Sequence, residues 1–156
     1  MRSTRGFTMF ELLIVMALIA IFSAMGIPTL QESTRRNSVW SASELIGSQI
    51  RQARLKAISR NMSFQVRFNC PGTGQFRVLQ VTGTINDVNR CTSQLTHDSG
   101  VMALPSSVTF GTPASLTVNS RGVYSTAATI TVTHTASSTS RSLTMSPTGQ
   151  ITFGVY

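Results

Sequence analysis

The chain has 156 residues, with thirteen Lys or Arg against five Asp or Glu and a formal net charge of +8. That length suits one domain with its own core. Four of the five carboxylates, Glu32, Glu44, Asp87 and Asp98, show no spacing suited to paired acid–base catalysis, and the fifth, Glu11, lies in an apolar segment. Every basic residue is Arg except Lys56, and the positive balance suits nucleic acid, anionic lipid or simply a soluble surface. The two cysteines, Cys70 and Cys91, form no CxxC pair and have no His–Cys spacing typical of zinc. No metal or other cofactor is indicated.

The first thirty positions hold the apolar residues most densely. From Leu12 to Ile27 every residue is apolar or small, Ser23 being the only polar one. Joined to Phe7–Phe10, the stretch reaches about twenty residues, enough for a helix to cross a bilayer. Arg2 and Arg5 precede it and belong on the cytoplasmic side, which puts the following domain on the other. An ordinary secretory signal fits less well. The basic part ends at Gly6, and Ser23-Ala24-Met25 is a poor small-x-small cleavage site. Glu11 also stands inside the apolar run, where a carboxylate is costly unless it is paired, neutralised or seated at headgroup level.

Gly6-Phe7-Thr8-Met9-Phe10-Glu11-Leu12-Leu13 resembles the class III signal of type IV pilins and type II secretion pseudopilins. The resemblance implies that a prepilin peptidase cuts between Gly6 and Phe7 and methylates the new amino group of Phe7. It places Glu11 fifth in the mature chain and Pro28 twenty-second, both in the family's register. Met9-Phe10 stands where Leu-Ile is usual. The chemistry suits the residue types. Gly6 lets an extended chain enter a narrow protease site. Glu11 would pair with the Phe7 amino group of a neighbouring subunit in an apolar filament core, where isolated ions are expensive. Pro28, with Gly26 nearby, would kink or locally melt a long helix, or else mark an ordinary helix end. The expected organisation is a cleaved leader 1–6, a membrane-spanning helix 7–28 and a domain 29–156.

A helical pattern runs from about Thr29 to Asn61. Val39, Ala42, Ile46, Ile50, Ala53 and Ala57 form one apolar stripe at helical spacing, widened by Leu45, Ile58 and Met62, which is expected to lie on a sheet. Arg35, Arg36, Arg51, Arg54, Lys56 and Arg60 fall largely on the opposite side. After Asn61 the period becomes two. Phe64, Val66 and Phe68 alternate with polar residues, Pro71-Gly72-Thr73-Gly74 turns the chain, and Phe76–Thr82 returns. Further strands are expected near Ser107–Phe110, Leu116–Val118, Thr129–Thr135, Arg141–Ser146 and Gln150–Tyr156. Cys70 and Cys91 in an exported domain read as one disulfide, two buried free thiols being the alternative.

The helix followed by these short strands is similar to the H-type pseudopilin and FimT/FimU minor pilin group. The implied fold is α+β, a pilin-like long N-terminal helix packed on an antiparallel β-sheet domain. The implied function is a structural minor pilin or pseudopilin that primes or caps a pilus or pseudopilus. Its partners would be the prepilin peptidase, other minor pilins and the inner membrane, with the domain in the periplasm. The alternative is a competence pilin that binds DNA. From Thr29 on, eleven basic residues face four acidic ones, a net of +7. However, the Gly-Arg-x-Arg ending associated with DNA capture is replaced by Gly149-Gln150-Ile151-Thr152, which leaves Arg51, Arg54, Arg121 and Arg141 as candidate DNA contacts. Catalysis finds no support. His97-Asp98-Ser99 are adjacent, whereas a triad needs side chains converging from separate elements. His97 reads as a loop residue and His134 as a surface position on a strand.

Overall fold

The computed structural model describes residues 7–82, 88–111 and 115–155. The chain divides into two compact units, Met1–Arg35 and Arg36–Tyr156. One α-helix, α1 (Met9–Arg60), supplies the described structure of the first unit and opens the second.

α1 ends where its chemistry says it should. Asn61 takes the left-handed conformation at φ 50°, which Asn tolerates better than most residues. The Asn61 N–H donates to the Ile58 carbonyl (3.3 Å) and the Met62 N–H to that of Ala57 (3.2 Å). This is a Schellman closure, which satisfies carbonyls the helix end would otherwise leave bare. α1 continues through Pro28, so the expected local melting or helix end there is not observed. Around Pro28, which has no N–H to give, the Thr29 hydroxyl donates to the Gly26 carbonyl at 2.8 Å.

Among the described residues the second unit adds eight strands in two antiparallel four-stranded sheets, in keeping with the expected antiparallel β-sheet domain. The first sheet has the order β3-β2-β1-β5 and the second β4-β6-β7-β8. The strands are β1 (Phe64–Phe68), β2 (Gln75–Gln80), β3 (Met102–Ala103), β4 (Val108–Phe110), β5 (Ser115–Val118), β6 (Ala128–His134), β7 (Ser140–Met145) and β8 (Ile151–Val155). One continuous core joins α1 to both sheets. Val39, Ala42, Ile46, Ile50, Ala53 and Ala57 are all buried in it, as their spacing requires. Gly47 lets the helix approach the second sheet closely. A Cβ there would stand 3.1 Å from the Phe153 ring and 3.4 Å from Leu143 Cδ1. Phe68 and Phe76 of the first sheet meet Phe110 of the second with ring centroids 5.2–6.4 Å apart, edge to face.

Three expectations about faces need correction. Leu45 does pack against the core, but Ile58 and Met62 do not widen the buried stripe. They are 48% and 37% exposed, Ile58 on a flank of α1 that the core leaves open and Met62 beyond the helix end. His134 is buried at 7% exposure. Its partner in the register is Val108, an inward-facing residue, so it points into the domain, where its Nδ1 accepts the Ala136 N–H at 3.2 Å.

Between β2 and β3 the chain makes a 3₁₀ turn, Val88–Cys91, and then a loop held from three directions. The Cys70 and Cys91 sulfurs are bonded. Arg77, 2% exposed, donates to the carbonyls of Cys91 (2.7 Å), Ser93 (3.0 Å) and Ser99 (3.1 and 3.3 Å). Arg90 and Asp98 form a buried two-pronged ion pair at 2.9 and 3.1 Å, and Asp98 also accepts the N–H groups of Gln80 and Leu95, each at 2.8 Å. Burial pushes the Asp98 carboxyl upward. The hydrogen bonds from Arg90, Leu95 and Gln80, with the Arg90 charge, outweigh it and hold the carboxyl below its ordinary value. His97, Asp98 and Ser99 thus belong to a structural loop, with Asp98 committed to Arg90.

Candidate assembly interface

The first site is the start of α1. Thr8 stands before the first helical residue and caps it. Its Oγ1 accepts the Glu11 N–H at 3.2 Å, and its carbonyl accepts the Leu12 N–H at 3.2 Å. Thr8-Met9-Phe10-Glu11 has the Thr-x-x-Glu pattern of a capping box, with Glu11 at its third helical position. A carboxylate in the first turn also complements the positive end of the helix dipole. The role of Thr8 was missed in the sequence reading, although its signal lies in that four-residue spacing. Gly6 lies outside the described residues.

Every large apolar side chain from Phe7 to Leu30 is exposed, from 45% at Val15 to 85% at Met9. Among the described residues α1 contains a stretch long and apolar enough to cross a bilayer, and none of that stretch is buried. An exposed apolar surface of this extent needs lipid or another protein to cover it.

The second site lies at the C-terminal end of α1. Two turns close there over one arginine. Arg54 Nε donates to the Gly122 carbonyl at 3.0 Å. Gly122 and Gly149 both have positive φ, 77° and 82°. A Cβ on either would fall 3.2 Å from Arg54 Nε, and a Cβ on Gly122 would fall 2.7 Å from Ile58 Cδ1. The turn-then-strand units Ser120-Arg121-Gly122 and Pro147-Thr148-Gly149 thus share a seat on the helix. Beneath them Tyr124 Oη donates to the Ile50 carbonyl at 2.6 Å, and burial raises its pKa against the opposing pull of the Arg54 charge.

The four candidate DNA contacts separate. Arg51 and Arg121 are exposed, and Arg54 is half-buried on Gly122. Arg141 is a correction: it is 5% exposed and faces inward. Its NH1 donates to Ser43 Oγ (2.8 Å) and Glu44 Oε1 (3.3 Å), and its guanidinium lies between the Trp40 and Phe153 rings, 3.9 and 4.3 Å from their centroids. That environment secures β7 to α1 and gives a phosphate no access. Among the described residues no group of three or more His, Cys, Asp or Glu is placed to hold a metal.

Comparison with known families explains this arrangement. The chain matches the model of the type II transport protein GspH over residues 42–149 and the prokaryotic N-terminal methylation motif over residues 1–27. It belongs to the GspH family of minor pilins and pseudopilins. No curated protein matches it.

Solved structures of FimU and EpsH share the fold. The type IV minor pilin FimU of Pseudomonas aeruginosa PAO1 superposes with a TM-score of 0.60 at 16% identity, covering 78% of this chain and 91% of FimU. A second crystal form of FimU gives 0.56 at 15% identity, covering 74% and 91%. The minor pseudopilin EpsH from the type 2 secretion system of Vibrio cholerae gives 0.56 at 17% identity, covering 76% and 97%. With its exposed apolar helix, the chain is a membrane-anchored pilin-type protein with an exposed domain, from a structural family whose members assemble with other pilins or pseudopilins.

Proposed function

We propose that the chain is made as a prepilin, cleaved between Gly6 and Phe7 by a prepilin peptidase and methylated on Phe7. It is held in the bacterial inner membrane by residues 7–28 with residues 29–156 in the periplasm. From there it joins a filament as a low-abundance subunit that starts or caps a type IV pilus or a type II secretion pseudopilus. The observation that carries this reading is the apolar segment Phe7–Leu30, which opens with a capped first turn, carries Glu11 in that turn and is exposed along its whole length. Before assembly, lipid covers that surface. After assembly, the helices of neighbouring subunits cover it. Glu11 then meets the Phe7 amino group of a neighbour, and each charge satisfies the other in surroundings that penalise both.

Glu11→Ala tests the reading. The variant should reach the membrane and be cleaved, yet fall out of sheared filaments. Recovery in filaments at the wild-type level would reduce Glu11 to a tolerated headgroup residue. The DNA-binding alternative keeps Arg51, Arg54 and Arg121, of which Arg54 is already engaged on Gly122.

A further inference from the structure

The C-terminal end of α1 and the residues just beyond it carry apolar side chains that the core does not use. Leu55 is 66% exposed, Ile58 48% and Met62 37%, and Val123 in the adjoining turn is 44% exposed. Leu55 and Ile58 are neighbours one turn apart on the helix surface. Ile58 packs on Gly122, which brings Val123 to the same place. Basic residues flank the cluster: Arg51, Arg54, Lys56 and Arg60 on the helix and Arg121 in the turn. Neither 51–62 nor 119–124 contains an acidic residue.

We propose that this cluster is a docking surface for a different protein chain, one that presents an apolar centre flanked by carboxylates. The proposal rests on the assembly reading above and specifies the partner. Charge decides against a second copy. Of the five carboxylates in the chain, Glu11 and Glu32 lie in the first unit, Glu44 is engaged by Arg141 and Asp98 is buried on Arg90, while Asp87 lies outside the described residues. Two copies meeting through this face would set basic rim against basic rim. The apolar centre decides against duplex DNA, whose backbone is read by charged and polar groups. Protein interfaces combine a desolvated apolar centre with a charged rim.

The test uses the full-length protein in its own host membrane, with a photo-crosslinking amino acid in place of Leu55 and, separately, in place of Phe22. Crosslinked peptides are identified by mass spectrometry. The expected partner at position 55 is a different pilin-type subunit, joined through a peptide containing Asp or Glu. Arg51→Glu combined with Arg121→Glu should cut that product about tenfold while the membrane level and the Cys70–Cys91 disulfide stay unchanged. Both arginines are exposed, so the fold should survive the change. If position 22 crosslinks to other subunits and position 55 to none, the docking surface fails while assembly stands. If neither position yields a product, both fail. Crosslinking of position 55 to a second copy or to nucleic acid, or a yield insensitive to the charge reversal, also overturns the proposal.

Discussion

Arg54 donates from Nε to the carbonyl oxygen of Gly122 at 3.0 Å, and the same guanidinium fills the space where a side chain on Gly149 would stand. One helical residue thereby fixes two turns twenty-seven positions apart in sequence, each needing φ near +80°. That conformation is easy for glycine and strained for any other residue.

Gly122→Ala should therefore destabilise the domain by about 1–3 kcal/mol, since it adds backbone strain to a clash with Ile58. Gly100→Ala is the matched control: a Cβ there meets nothing within 4 Å and φ is not in the left-handed region. Thermal unfolding of the detergent-solubilised protein should show a lower midpoint for the first variant and little change for the second. Equal midpoints would mean the turn relaxes freely.

The Arg90–Asp98 pair gives the protein an acid limit. The Asp98 carboxyl is held below its ordinary value of 3.8 in the folded chain. Its contribution to stability is therefore present above that value and is lost as the pH falls below it, through the folded pKa. Asp98→Asn should abolish this dependence and leave Arg90 buried without its counter-charge, at a cost of about 3–5 kcal/mol. Urea unfolding at neutral pH and near pH 3 checks both statements. An unchanged midpoint at neutral pH would contradict them.

The disulfide and Arg77 hold the same loop by independent means. Cys91→Ser should cost about 3 kcal/mol, the chain-entropy value for a closed loop of this size, with the bonded residues 21 apart. The Arg77 bonds to Cys91, Ser93 and Ser99 remain available, so amide exchange across 92–99 should rise moderately in the variant and much further when Arg77→Ala is added. Full exchange in Cys91→Ser alone would show that the arginine clamp depends on the disulfide.

Thr8→Val removes the hydroxyl that accepts the Glu11 N–H and should destabilise the first turn by about 1 kcal/mol. NMR of the protein in detergent micelles should show faster amide exchange at Glu11 with the helix beyond Leu13 unchanged. Equal exchange would mean that the lipid-like environment alone holds the first turn.

Much of this architecture was legible in the chain, because burial imposes periodicity. The stripe from Val39 to Ala57 and the alternation in Phe64–Phe68 each reported a surface pressed against a core. The strands after Ser107 were bracketed by glycines and prolines. The faces of polar residues were harder to read. Arg141 and His134 alternate as surface residues would, yet both point inward, because Trp40, Phe153, Ser43 and the Ala136 N–H satisfy them there. Arg77 and Arg90 gave no sequence signal for the same reason: their partners are backbone carbonyls and, for Arg90, a carboxylate eight positions on, brought to it by the loop. The division into two sheets and the short β3 depend on long-range pairing, which local pattern does not carry. At the assembly end, the family resemblance rests on the register of Gly6, Phe7 and Glu11, and the Thr8 cap, signalled by its spacing from Glu11, is seen in its bond to the Glu11 amide.

In the proposed processed prepilin, the first part of α1 faces the membrane as the opening segment of the mature chain. Intact-mass and N-terminal peptide analysis of the protein extracted from its host membrane tests this most directly. The predicted result is a chain that begins at Phe7, carries one added methyl group on its amino terminus and retains the whole of α1. A mature chain beginning near Met25 would mean that the apolar segment is a discarded secretory signal and would contradict the account.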